Sequence, residues 1–261
     1  MKRTFTIVTA IGIAILAAAQ PAAAGMVIDG FTAIQSLNNT STSLPYRLMD
    51  GVCPADTSLF GGCRDTTLWL DQAPTSGDNT LNIGSAFMQI SAATGNEIGI
   101  DITYDGNTDG DVGGSLDINL AALGSEFTLE MSGMGWDSDR SYPSNPLGEI
   151  TVWSRLSVFP FYATSYYDFT FPNQGTSATI VIPFSTPTFT DYSGGPADFN
   201  HVNAIGLSLN QTNYVVNGLQ ATVQNFDVSG LPLNSLPAVP EPVTFVLVGG
   251  ALAAIAFLRK R

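Results

Sequence analysis

The sequence predicts an all-β protein, a jelly-roll-like sandwich of two sheets, preceded by a signal peptide and followed by a single transmembrane helix. Three observations carry that prediction. Short period-two stretches recur through residues 25–228, set apart by Gly, Pro, Asn and Asp, and no span of twelve or more residues there holds a 3.6-residue period. The first 24 residues divide into a basic start, an apolar run and a small-residue end. The chain closes on sixteen uncharged residues and three basic ones.

In the leader, Lys2 and Arg3 are the basic region, Phe5 to Ala19 the apolar run, and Ala22, Ala23 and Ala24 the small residues before the cut. Cleavage after Ala24 leaves Gly25 as the new N-terminus. An uncleaved anchor would want a longer apolar run and no A-x-A ending.

The body follows as strand after strand. In Glu97 to Tyr104 the side chains of Ile98, Ile100, Ile102 and Tyr104 point one way and those of Asp101 and Thr103 the other. Leu116 to Leu120 shows a similar pattern, and Glu126 to Met131 sets Phe127, Leu129 and Met131 against Glu126, Thr128 and Glu130. Ile150 to Val158, Asp168 to Phe171, Thr179 to Phe184 and Ile205 to Leu209 read the same way. One domain over residues 25–228 accounts for them, with two sheets packed face to face. Residues 229–242 hold Pro232, Pro237, Pro240 and Pro242 with almost no charge, an extended spacer.

Charge and cysteine usage narrow the function. Residues 25–238 keep four arginines and no lysine against 21 of the 22 acids, a balance of −17. Such a body repels phosphate backbones, so nucleic acid is excluded as a partner, whereas divalent cations and neutral glycans remain. Cys53 and Cys63 are the only cysteines. Behind a signal peptide they enter an oxidising compartment, which predicts a disulfide worth about 2–3 kcal/mol.

Residues 243–261 form the tail. The sixteen uncharged residues, Val243 to Leu258, span about 24 Å as a helix against a hydrocarbon core of about 30 Å. Arg259, Lys260 and Arg261 can snorkel to the headgroups, close the gap and hold that end in the cytoplasm. The body then faces outward. A lipid-anchor signal of the GPI type would end apolar, and this one ends basic.

Val239-Pro240-Glu241-Pro242, the apolar segment and the basic cluster together resemble the PEP-CTERM sorting signal of exported bacterial proteins. The resemblance implies an exosortase as partner, a membrane-embedded transpeptidase-like enzyme that recognises the motif, cuts near it and releases or re-attaches the body. It also implies a chain held in the inner membrane before processing and found at the cell surface or in the extracellular matrix afterwards. The body resembles, less specifically, the β-sandwich ectodomains found ahead of such tails. The matching pieces are Val27-Ile28-Asp29-Gly30-Phe31, Gly61-Gly62-Cys63-Arg64-Asp65, Tyr104-Asp105-Gly106 and Gly113-Gly114 before Asp117, with Asp198-Phe199 leading into Val202-Asn203-Ala204-Ile205. No catalytic residue comes with that resemblance.

Four groups of residues bear on chemistry. Asp105, Asn107, Asp109 and Asp111 stand at positions one, three, five and seven around Gly110 at six, the oxygen spacing of a calcium loop. Position twelve is Leu116 rather than a bidentate Glu, and a strand precedes the loop, so a polar hairpin turn fits the same residues. The carboxylate pairs Glu126 with Glu130 and Asp137 with Asp139 read as a solvated strand face and a turn sooner than as a glycosidase acid and base. His201 is the only histidine, so HExxH zinc chemistry is excluded, and no G-x-S-x-G elbow surrounds a serine. Trp136, Tyr142, Trp153, Tyr162, Tyr166 and Tyr167 are either cross-strand packing or a surface on which sugars stack. The sequence thus points to a non-enzymatic exported protein with a structural or interaction role. A calcium-assisted carbohydrate-binding module is the alternative, and a secreted glycoside hydrolase the most distant one.

Overall fold

A computed structural model describes residues 25–39, 47–54, 59–70, 77–108, 116–137, 145–155, 162–190, 195–210 and 216–230. The expected signal peptide, the expected sorting motif Val239 to Pro242, the tail with its basic cluster, and Asp109, Asp111, Asp139 and Tyr142 lie outside these residues. Fourteen strands are described: β1 (Met26–Asp29), β2 (Gln35–Asn39), β3 (Arg47–Val52), β4 (Arg64–Leu70), β5 (Asn79–Gly84), β6 (Phe87–Ser91), β7 (Ile98–Tyr104), β8 (Glu126–Gly135), β9 (Leu147–Arg155), β10 (Tyr162–Thr170), β11 (Ala178–Pro183), β12 (Phe189–Thr190), β13 (Val202–Leu209) and β14 (Gln220–Ser229).

They make two seven-stranded antiparallel sheets. The first runs β11-β8-β14-β6-β5-β2, with β1 sharing one edge of β14 with β6. The second runs β12-β10-β9-β13-β7-β4-β3. The chain crosses repeatedly between the two, as jelly rolls do, and the expected β-sandwich is the observed one. Its core forms where alternation puts apolar side chains inward. Ile98, Ile100, Ile102 and Tyr104 of β7 face Phe127, Leu129 and Met131 of β8 and Phe226 of β14 within one buried cluster. Tilted ring contacts join Phe127 to Phe184 at 4.6 Å, Phe184 to Phe199 at 4.5 Å and Tyr104 to Phe226 at 6.1 Å.

One predicted strand is not there. Residues 116–120 give a single bridge, Ile118 to Val202, and then a 3-10 turn over Leu120–Ala122. Asn119 caps that turn, its Oδ1 accepting from the Ala122 N–H at 2.9 Å, and so favours the turn over a continued strand. The last strand ends at Ser229, one residue beyond the boundary read from the sequence.

Candidate functional site

The core-facing side of the second sheet is mostly apolar, with Arg64 and Thr66 among the exceptions, and the solvent-facing aromatic and acidic groups lie on the opposite face. Strand register arranges that face in rows. Arg47, Trp69 and Gly99 form the first row. Met49, Thr67, Asp101, Ser208, Glu149 and Asp168 form the second. Gly51, Asp65, Thr103, Gly206, Thr151, Tyr166 and Phe189 form the third, and Ala204, Trp153 and Thr164 the fourth.

Two tryptophans on this face are seated on glycines. A Cβ at Gly99 would stand 1.8 to 2.4 Å from three atoms of the Trp69 indole, and one at Gly206 would stand 2.7 and 2.8 Å from two atoms of Trp153. Each indole therefore fills the space over a bare Cα, which only glycine leaves open. Both rings stay partly exposed. Between them lies a polar row in which Ser208 Oγ donates to Asp101 Oδ1 at 2.7 Å, while one row on Thr151 Oγ1 donates to Glu149 Oε1 at 2.9 Å. Tyr166 packs on Phe189 with ring centres 5.5 Å apart. Thr67, Thr151 and Thr164 are buried on this outer face, so they form a floor below the taller aromatic side chains.

Beneath the floor a buried polar cluster ties the two sheets together. Arg64 and Asp29 are both fully buried, with Nη1 to Oδ2 at 2.5 Å. Arg64 also donates to Gln35 Oε1 and to the Ala33 carbonyl, Thr66 Oγ1 donates to Gln35 Oε1, and the Tyr104 hydroxyl donates to Asp29 Oδ2. Burial pushes the Asp29 carboxyl up, and the Arg64 guanidinium opposes it. Asp29 Oδ1 accepts from the Phe31 N–H at 2.6 Å, holding Phe31 in the left-handed region at φ 52°. Asp29, Arg64 and Tyr104 come from three of the sequence pieces quoted above, far apart in the chain and joined here in one cluster. Its members on β4 and β7 fix the strands that carry Trp69, Gly99 and Asp101 on their other face.

The remaining predicted residues are placed as follows. Cys53 and Cys63 are joined, with Cα atoms 4.2 Å apart, and clamp the end of β3 to the start of β4 at the rim of this sheet. Asp105 is buried and its Oδ1 accepts from the Asn107 N–H at 3.0 Å, a local turn made by two of the four calcium-loop residues. Gly106, in that turn, sits under Leu116 with φ 90°. Among the described residues no group of three or more acids, histidines or cysteines stands close enough to hold a metal. Glu126 accepts from Ser229 and Glu130 from Asn225, so that pair lies on the outer face of the first sheet. Asp137 accepts from the Gly95 N–H. His201 Nδ1 lies 2.8 Å from Asp117 Oδ1, and both are exposed. That hydrogen bond, with the charges of Asp117 and Asp198, raises the His201 pKa. Of the aromatics, Tyr167 is core, with its hydroxyl donating to the Phe184 carbonyl, while Trp153, Tyr162 and Tyr166 lie on the outer face. Trp69 does not stand out in the sequence, because its significance depends on Gly99, its register partner on β7, with β5 and β6 between them in the chain.

No protein-family model matches the chain, and no curated protein does. Among solved structures it is similar to the family 11 carbohydrate-binding module of the cellulosomal cellulase Lic26A-Cel5E of Clostridium thermocellum, at 10% identity and a TM-score of 0.33, covering 77% of this chain and 96% of that one. A second is the Clostridium thermocellum family 11 module in complex with a β-1,3-1,4-mixed-linked tetrasaccharide, at 10% identity and a TM-score of 0.32, covering 77% and 97%. A third, described by the promiscuous specificity of carbohydrate-binding modules of the β-sandwich superfamily, has 10% identity and a TM-score of 0.29 and covers 76% and 62%. The sandwich itself rests on the strand pairing given above.

Proposed function

We propose that the chain is an exported, non-enzymatic surface or extracellular-matrix protein that binds extracellular polysaccharide through the outer face of its second sheet. The observation that carries the binding part is the pair of indoles seated over Gly99 and Gly206, with hydrogen-bonded hydroxyl and carboxylate groups between and beside them. A sugar ring presents an apolar C–H face and a rim of hydroxyls. The face stacks on an aromatic ring, and the rim is oriented by polar groups at the ring's edge.

Export and sorting belong to the same proposal and are supported by the sequence. The leader directs the chain outward, and the segment Val239 to Arg261 holds it in the inner membrane until an exosortase acts at the Pro-Glu-Pro motif. Calcium at Asp105, Asn107, Asp109 and Asp111 is supported by their oxygen spacing. A melting temperature that rises with calcium, falls with chelator and loses that response in Asp109→Ala supports the ion. Equal melting in calcium and chelator refutes it.

Electrophoresis of the full chain through gels cast with neutral polysaccharides tests the binding. The wild type is expected to be retarded by at least one of them and Trp153→Ala to run freely in the same gel. Free migration of the wild type in every gel would overturn the reading.

A further inference from the structure

We infer that the face takes one linear, uncharged oligosaccharide lying along β7 and β13, held at its ends by Trp69 and Trp153 and aligned midway by the Asp101–Ser208 pair. The inference rests on the glycan-binding reading above and adds the ligand's length, path and charge.

Length follows from register. The Trp69 indole lies over Gly99 of β7, and the Trp153 indole lies over Gly206 of β13, which pairs with Thr103 of β7. Four residues of rise along one strand and one strand spacing across put the two platforms roughly 14 Å apart. One sugar cannot touch both. A short chain of sugars can, and its axis then follows the strands.

Path and orientation follow from the row between. Asp101 and Ser208 pair directly across β7 and β13 and are hydrogen-bonded at 2.7 Å, halfway between the rings in register. A hydroxyl bonded to a carboxylate has its proton committed and its lone pairs left, so the pair offers acceptors on both groups. Sugar hydroxyls, which donate, meet them along the chain.

Charge follows from composition. The rows carry Asp65, Asp101, Glu149 and Asp168 against Arg47, with Arg155 paired to Tyr162 beyond the last row, on a body with four arginines, no lysine and 21 acids. Anionic glycans would be repelled before contact. Neutral ones are not.

Calorimetric titration of the full chain tests this, with neutral gluco-, xylo- and manno-oligosaccharides from the disaccharide to the hexasaccharide and an oligogalacturonide as the anionic probe. Affinity is expected to climb by about tenfold or more from the disaccharide to the hexasaccharide of the preferred sugar. Trp69→Ala and Trp153→Ala should each remove that gain, and Ser208→Ala, which leaves both rings, should weaken the hexasaccharide several-fold. Equal affinity for the two lengths, one tryptophan variant binding like the wild type, or preference for the oligogalacturonide would overturn the inference and leave glycan binding standing. Binding to none of the probes would overturn both. Should the tryptophan variants fail to fold, indole fluorescence of the unaltered chain decides: protection from acrylamide quenching by the hexasaccharide and not by the disaccharide is expected, and equal quenching with both sugars contradicts the two-platform site.

Discussion

Arg64 spends its donors on Asp29, Gln35 and the Ala33 carbonyl with no exposure to water, so each partner is answerable for a buried charge. Asp29→Asn leaves the guanidinium without its counter-charge and is expected to cost about 3–5 kcal/mol in denaturant unfolding, whereas replacing both residues by apolar ones of similar volume should recover most of it. His201 makes the opposite kind of pair, with both side chains exposed. Its pKa is raised above 6.5 by Asp117, so whatever stability it adds is fully present below pH 6.5 and is lost as pH rises through the folded-state value. An NMR titration of the imidazole should show the raised midpoint, and Asp117→Asn should bring it back toward 6.5; an unmoved midpoint would dismiss the pair. Single residues were unevenly legible in the sequence. The lone histidine excluded a zinc motif but did not announce its exposed pair with Asp117, while Arg64 gave no sign of burial, because an arginine in a strand normally reads as surface.

Strands were legible where alternation was clean. In β8 the inward Phe127, Leu129 and Met131 contrast with Glu126, Thr128 and Glu130 outside, and the period is plain. In β4 the inward positions are Arg64, Thr66, Leu68 and Leu70 and the outer ones include Trp69, so polar and apolar residues stand on both faces and no clean alternation marks the strand. The disulfide was legible because two cysteines leave one pairing. It closes β3 onto β4, and its reduction should lower stability by about 2–3 kcal/mol, read as a shift in the urea midpoint without loss of fold. Glycines at the platform were not legible, since Gly99 and Gly206 look like ordinary strand weakeners until the indoles above them are seen. Gly99→Ala puts a methyl where Trp69 stands. It should cost about 1–3 kcal/mol and red-shift the indole emission as the ring is pushed outward. An unchanged spectrum would mean the ring is not seated there.

At the scale of the molecule, the proposed function divides the chain into a tail that sorts it and a sandwich that binds polysaccharide. Replacing Pro240, Glu241 and Pro242 by alanine should leave an unprocessed chain in the membrane fraction, detected by its intact C-terminal mass; normal release would refute the sorting role. The sandwich was legible as a class from its periodicity, but which of its two outer faces carries the seated indoles was not, because a face is assembled from strands whose order the sequence does not state. Here β4, β7, β13 and β9, drawn from residues 64 to 209, lie side by side and place the two indoles on one surface. The most direct test of that placement is amide chemical-shift mapping of the isotopically labelled chain during titration with the neutral polysaccharide that retards it. The perturbed amides should fall on Trp69, Asp101, Thr103, Thr151, Trp153 and Ser208. Perturbations gathered instead on the outer face of the first sheet, around Glu130 and Asn225, would contradict it.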